Sequence, residues 1–392
     1  MSLWPQQSRA AAMAAALVWL AGVAPPVTAL AQDAGVIRVG AVSSLTGPAA
    51  FPESTAAVRA YFDAVNASGG VRGRRLELVV ADDQGDPATA RAAAQRLLED
   101  PRTVALVGSA STVDCTHNAA AYQAAGLMAL QGTGVEPACF ASAHIVPVNT
   151  GPYLSLRNSL QYAHEVLRAR RLCAFVMDLP GMGPAYRATA QAWQKEAGVT
   201  LAHLGLFNPT GDVKVLVAQA EEKQCDAVVH GGVEPLVLAW ARAVQAHPRL
   251  GKVPTVFLTP AYTERVAAEL AAGTAPVYCM AEFEPWSSRS PTLSDWRAVM
   301  RRGQVPLSSF SQGGYTAAQL FVRTLRAMDG EISRANVARA LQAVKEVELS
   351  MLGTRFTVGA GGSGHNPNRA TLPMKLAQGQ WRIASPFWVV AP

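Results

Sequence analysis

The sequence predicts an α/β protein of two doubly wound parallel-sheet lobes, and three observations predict it. Short apolar runs alternate with amphipathic segments, the pattern of strands covered by helices rather than of a bundle or a sandwich. The alternation breaks at Pro147-Val148-Asn149-Thr150-Gly151-Pro152 and starts afresh beyond it. At 392 residues the chain is also longer than one ordinary core organises.

The N-terminus carries Arg9, an uncharged run from Ala10 to Val23, and Ala29-Leu30-Ala31. That is the layout of a secretory signal over residues 1–31, with a soluble product expected to begin near Gln32. The run is shorter than the roughly 20 residues a membrane span needs.

Val36–Val42 is the first expected strand. A helix opens at Ser54, with Val58, Tyr61, Phe62 and Val65 at i, i+3, i+4 and i+7, and Gly69-Gly70 ends it. Leu76–Ala81 is the next strand, and Asp86-Pro87 supplies an N-cap and a first helical residue. Val104–Val107 leads to a helix over Thr112–Ala125, followed by a strand at Leu127–Leu130. Such alternation with short links makes a parallel sheet with helices on both faces.

Beyond the break, Leu172–Met177, Val199–Leu206, Ala227–His230, Pro254–Leu258 and Val277–Ala281 read as strands with helical segments between them. Glu284-Pro285-Trp286 reads as a second crossing between lobes. Helices near Thr292–Arg302, Ser311–Met328 and Arg334–Val344 then return to the first lobe. Strands near Arg355–Val358, Leu372–Leu376 and Trp381–Ile383 complete the second. The expected lobes are 32–149 plus 286–352, and 150–285 plus 353–392.

Half the residues are hydrophobic and 16% are charged, which describes a globular chain. A net charge of +6 without long Lys/Arg clusters gives little support to a nucleic-acid partner. Arg168-Ala169-Arg170-Arg171 reads better as a helix C-terminus facing its dipole. Catalysis finds no motif. Gly359-Ala360-Gly361-Gly362-Ser363-Gly364 spells GxGxxG but runs into His365-Asn366-Pro367, so it cannot seat a pyrophosphate on a helix. The histidines lack metal spacing, and Asp82, Asp83 and Asp86 read as turn and cap residues, so neither an enzyme nor a cofactor nor a metal is implied.

Thr46-Gly47-Pro48, Asn66 through Gly73 (NASGGVRG), Asp82-Asp83 through Asp86-Pro87, and Gly231-Gly232 carry a resemblance in their order and spacing. The chain resembles the type I periplasmic solute-binding proteins of the leucine/isoleucine/valine transporter family. The resemblance covers nearly all of the expected mature chain. It implies a periplasmic monomer that binds a small solute between two lobes, closes about a three-crossing hinge, and docks on an inner-membrane ABC permease.

In open parallel sheets ligands sit beyond the carboxyl ends of the strands. Gly108-Ser109-Ala110-Ser111-Thr112 leaves such an end and opens a helix whose N–H groups favour an anion. The resemblance implies that Ser111 and Thr112 hold a ligand carboxylate and that Thr133, Gly134 and Val135 form a second carboxylate-binding loop. Ser111 through Asp114 also fits a capping box, and one helix end can serve both purposes. Phe51 stands where relatives have an aromatic wall. Met182 and Val233 replace tyrosines of the leucine-type proteins, and with Tyr262 they suit an apolar ligand body. Ala261 stands where the carboxylate that pairs an α-ammonium is expected. Asp114, Glu136 and Glu234 are the candidate replacements; otherwise the ligand is an amine-free small carboxylate or amide.

The five cysteines of an exported chain invite pairing. Cys115 and Cys139 both fall on the binding edge of lobe one and are expected to bond. Cys173 and Cys225 begin neighbouring strands of a 2-1-3-4-5 order and are either a second bond or two buried thiols. Cys279 is left over. The function expected is solute binding for an ABC importer; the alternative is a sensory protein of the same fold that reports its ligand to a membrane kinase or regulator.

Overall fold

The computed structural model describes residues 35–47, 49–359 and 368–391. The expected signal segment and most of the Gly359–Gly364 motif lie outside the described residues.

The first lobe is a five-stranded parallel sheet. Its elements run β1 (Val36–Ser43), α1 (Pro52–Ala67), β2 (Arg75–Asp82), α2 (Pro87–Glu99), β3 (Thr103–Ala110), α3 (Asp114–Ala124), β4 (Ala129–Thr133), α4 (Pro137–Ala141) and β5 (Ile145–Pro147). The strand order is β2-β1-β3-β4-β5, and β1 and β2 keep one register from Val36–Arg75 to Ser43–Asp82. β3 lies at the centre and is buried along its whole length, as a strand covered on both faces should be. Asp86 caps α2 by accepting from the Thr89 N–H at 2.7 Å, with Pro87 as the first helical residue.

Residues 151–281 form most of the second lobe. They run α5 (Gly151–Glu165), β6 (Leu172–Met177), α6 (Met182–Ala197), β7 (His203–Phe207), α7 (Val213–Glu222), β8 (Ala227–Gly231), α8 (Glu234–Gln245), β9 (Thr255–Phe257), α9 (Glu264–Glu269) and β10 (Val277–Ala281). α10 (Ser294–Arg302), α11 (Ser309–Ala327) and α12 (Arg334–Gln342) follow, and then β11 (Leu372–Ala377) and β12 (Gln380–Ile383). The sheet order is β12-β11-β10-β9-β8-β6-β7, with the tail hairpin antiparallel to β10. Both faces of β6 are covered: Cys173 and Phe175 join one core cluster, Leu172, Ala174 and Val176 another.

α11 and α12 pack back onto the first sheet. α11 lies against α1, β3 and β4, and α12 against β3. Arg334 fixes this return by donating to the carbonyls of Thr103, Leu98 and Asp100. The Gly313-Gly314 pair of α11 sits so close to the first lobe that an added Cβ at Gly314 would fall on the Ser54 carbonyl oxygen, and one at Gly313 on the Gly132 carbonyl oxygen.

Two expectations need correction. Arg355–Val358 is no strand: Phe356 makes a single bridge with Val347, and the Val358 N–H bonds the Val344 carbonyl, so the segment folds back beside the end of α12. The strand expected from Val199 begins only at His203, because Gly198 ends α6 at φ 66° and the Val199 N–H bonds back to Gln194. β5 is an element that periodicity did not reveal, being only three residues long.

Candidate functional site

The carboxyl ends of both sheets border one cavity of about 310 Å³. The first lobe supplies Thr112 after β3, Thr133, Gly134 and Val135 at the end of β4, and Ala49, Ala50 and Phe51 before α1. The second lobe supplies Met177 at the end of β6 with Leu179 and Met182 beyond it, Gly231 at the end of β8 with Gly232 through Pro235 beyond it, Leu258, Thr259, Pro260 and Thr263 after β9, and Glu282 after β10. Asn149, Pro152 and Ser155 enter from the crossing into α5, and Ser309 and Phe310 from the start of α11. This is where an open parallel sheet places a ligand, and here two sheets share it.

Seven of the expected residues come together on that cavity: Phe51, Thr112, Thr133, Gly134, Val135, Met182 and Val233. Phe51 packs on Phe310 with ring centroids 5.1 Å apart, so the aromatic wall has a second ring contributed from α11. The body of the cavity is apolar, built by Val135, Pro152, Met177, Leu179, Met182, Val233 and Leu258. The Thr112 and Thr133 hydroxyls make no hydrogen bond among the described residues, and the buried hydroxyls of Ser155 and Ser309 are also without a partner.

The structure places Ser111, Ala261 and Tyr262 away from the cavity. The buried Ser111 Oγ accepts from the N–H groups of Val113 and Asp114, both at 3.1 Å, so it serves the turn into α3. Thr259–Ala261 is a single 3₁₀ turn, in which Thr259 and Pro260 line the cavity while Ala261 is buried behind them. Tyr262 is buried with its ring stacked on Trp286 at 3.6 Å and edge-on to Trp381.

The N-terminus of α3 already holds an anion of the protein's own. Glu136 accepts from the Cys115 N–H at 2.8 Å and the Thr116 N–H at 3.2 Å, while burial pushes its pKa upward. Cys115 and Cys139 form a disulfide beside it, with Cα atoms 5.1 Å apart. The two sulfurs are bonded to each other, so Cys115, Glu136 and Cys139 offer no thiolate to a metal despite their closeness. Asp114 lies behind the site, accepting from Tyr122 Oη at 2.6 Å, Asn118 Nδ2 at 2.8 Å and Gln131 Nε2 at 3.0 Å; burial raises its pKa to about 6. Glu234 reaches the cavity rim but pairs with Arg265 at 3.1 Å and accepts from Thr263 Oγ1 at 2.8 Å.

Glu282 and Asn149 were not singled out in the sequence. Glu282 follows β10 by one residue, so the rule that ligands sit beyond strand carboxyl ends could have found it. It is 6% exposed, and its Oε1 accepts from the Gly151 N–H at 2.9 Å. Asn149 bonds Gly134 in both directions, Oδ1 to N at 2.8 Å and Nδ2 to O at 3.1 Å. Burial pushes the Glu282 pKa up to about 7, and the hydrogen bond from the Gly151 N–H opposes that rise only in part. An acid whose pKa is higher folded than unfolded destabilises the fold as pH rises from its unfolded pKa through its folded one. Glu282→Gln keeps an acceptor for Gly151 and cannot ionise. It is therefore expected to raise the melting temperature at pH 8, by up to about 3 kcal/mol of stability, and to change it little at pH 5. Differential scanning calorimetry at the two pH values checks this, and an equal effect at both would contradict it.

Comparison with known proteins agrees with this geometry. A family model described as "Periplasmic binding protein" matches residues 36–380. The chain is 25% identical over 327 residues to the Leu/Ile/Val-binding protein of Escherichia coli strain K12, covering 80% of this chain and 84% of that one. A possible leucine/isoleucine/valine-binding protein from Rhodopirellula baltica shares the fold with a TM-score of 0.75 at 19% identity, covering 90% of this chain and 97% of its own. A fatty acid ABC transporter substrate-binding protein from Thermomonospora curvata does so with a TM-score of 0.76 at 20% identity, covering 89% and 91%.

Proposed function

We propose a function from one premise: the chain belongs to the periplasmic binding protein family. It is the solute-binding protein of an ABC importer, and it takes a small carboxylate-bearing solute of the branched-chain or other apolar amino acid class. The observation that carries this reading is the cavity bordered by the carboxyl ends of both sheets, with apolar walls and a hydroxyl-bearing end at Thr112 and Thr133. A solute touching both lobes favours the closed arrangement alone, which is how binding would drive hinge closure. The closed form then docks, as a monomer, on an inner-membrane permease. The lobes in this reading are 32–149 plus 286–352 and 150–285 plus 353–392, the mature chain starting after cleavage near Ala31.

In the bound state Thr112 and Thr133 donate to the solute carboxylate, Val135 and Gly134 shape the loop beside it, and Met182, Val233 and Phe51 enclose the apolar body. Thr112→Val removes one donor and nothing that the fold uses. It is expected to weaken binding at least tenfold with the melting temperature unchanged, consistent with the value of a hydrogen bond to a charged group. Titration calorimetry measures it, and an unchanged affinity would take Thr112 out of the site.

A thermal-shift screen of the chain from Gln32 tests the ligand class. A true solute well above its dissociation constant raises the melting temperature by several degrees through mass action. Shifts with leucine-like or aromatic amino acids support the reading. Shifts only with fatty or other amine-free acids would move the protein to another substrate class, and none with any small solute would favour a different role for the fold.

A further inference from the structure

We propose that Glu282 seats a cationic amino group of the bound solute, which makes that solute an apolar amino compound rather than an amine-free acid or amide. The proposal rests on reading the cavity as the solute site and names the group that sets its specificity.

Charge in the cavity points one way. Glu282 and Glu234 are the charged side chains on its wall, and no Lys, Arg or His lines it among the described residues. A cavity with two acids and no base complements a cation. The two acids are not equal, because Glu234 is paired from outside with Arg265, which it shares with Glu269. Glu282 makes no ion pair among the described residues, and the groups around its carboxylate are the neutral Gly151 N–H, Asn149 and Thr259. The other titratable groups on the wall are Glu234 and Tyr186, neither of them a base. A buried carboxylate without a counter-ion is costly, and it is relieved either by a proton or by a cation brought in from the cavity. Its pKa near 7 without ligand matches the first state; a seated ammonium produces the second.

Position adds a second argument. Glu282 sits where the chain leaves β10, its carbonyl accepts from Asn368 Nδ2 at 2.9 Å, and its Oε1 holds the first residue of α5. Asn149, beside it on the first crossing, is bonded to Gly134 on the ligand loop of the first lobe. An ammonium at Glu282 therefore meets the segments that join the lobes. A solute carboxylate at Thr112 and Thr133 would be held on the first lobe, with Met182 and Val233 closing from the second. The ammonium and the carboxylate of one small zwitterion thus have different partners on the cavity wall.

Isothermal titration of the chain from Gln32 with two matched trios tests this: leucine, 4-methylpentanoate and 3-methylbutylamine, and phenylalanine with its deaminated and decarboxylated analogues. The expected result is that an amino acid of one trio binds at least tenfold tighter than its amine-free acid. Glu282→Gln then weakens that amino acid by at least a hundredfold. An amine-free acid binding as tightly as its amino acid, or Glu282→Gln binding the amino acid normally, overturns the role of Glu282 while leaving solute binding intact. Binding of no probe overturns it together with the ligand class on which it rests. A variant-free measurement guards against misfolding: at pH 7 and below, binding should release protons as the buried carboxyl ionises, read from heats in buffers of different ionisation enthalpy. Release of none overturns the proposal.

Discussion

Gly314→Val is expected to yield no folded protein at 25 °C. Gly314 is buried in the second turn of α11, a helix that packs on α1 and β4. An added Cβ there would overlap the Ser54 backbone, and the neighbouring Gly313 has the same relation to Gly132. Backbone on both sides leaves no flexible side chain to move aside. Ser54 is itself held by its hydroxyl, which donates to the Gly108 carbonyl at 2.8 Å. Overpacking of an ordinary core costs about 1–3 kcal/mol, and a clash with fixed backbone exceeds that range, against a total stability of only about 5–15 kcal/mol. Circular dichroism of the purified variant decides it. A cooperative melt within a few degrees of the parent would show that α11 can slide on the first lobe. The control is Gly330→Ala: no atom lies near its Cβ, although its φ of 77° still costs the alanine some strain. That variant should fold and lose only about 1 kcal/mol.

The contact explains why part of the fold could be read from the sequence and part could not. Residues 311–328 read as a helix from their own periodicity, and α11 spans Ser309–Ala327. What the two glycines do was not legible, because Ser54 and Gly132 are far away in the chain. The same limit applies to the site. For Phe51, Thr112, Thr133, Gly134, Val135, Met182 and Val233 the family resemblance names the positions, and all seven line the cavity. Asp114 and Glu136 looked like free acids near the cleft. Their carboxylates are taken by Tyr122, Asn118 and Gln131, and by the N-terminus of α3. Ala261 and Tyr262 lie in the sequence where the wall continues, yet one 3₁₀ turn buries both.

Removing the Cys173–Cys225 disulfide by the double substitution to alanine is expected to cost about 4 kcal/mol, roughly 5 °C in melting temperature. The two residues are 52 apart in sequence, and the bond ties β6 to the segment leading into β8 across their parallel pairing. The larger the loop that a bond closes, the more conformational freedom it takes from the unfolded chain. Cys115–Cys139 closes a loop of separation 24, so its loss should cost slightly less, about 3.5 kcal/mol. Cys279 is buried and unpaired, which makes it a partner for wrong bonds when the others are opened. Urea denaturation of the parent and the double variant, each with and without dithiothreitol, measures the term. Equal midpoints for oxidised parent and variant would mean that the native packing already supplies the constraint.

The sequence by itself determined the alternation of strand and helix, the restart after Pro147, the Asp86-Pro87 helix start and the family to which the chain belongs. Each is a local or nearly local property: a period of two or 3.6, a cap beside its helix, a motif at fixed spacing. Only the tertiary structure decided where the charges and backbones meet. It brought Gly314 onto Ser54, closed the α3 N-terminus with Glu136, paired Glu234 with Arg265, and left Glu282 on the cavity wall with no counter-ion among the described residues. Neutralising a buried charge depends on which groups lie within a few ångströms of it, and distance along the chain does not encode that distance in space.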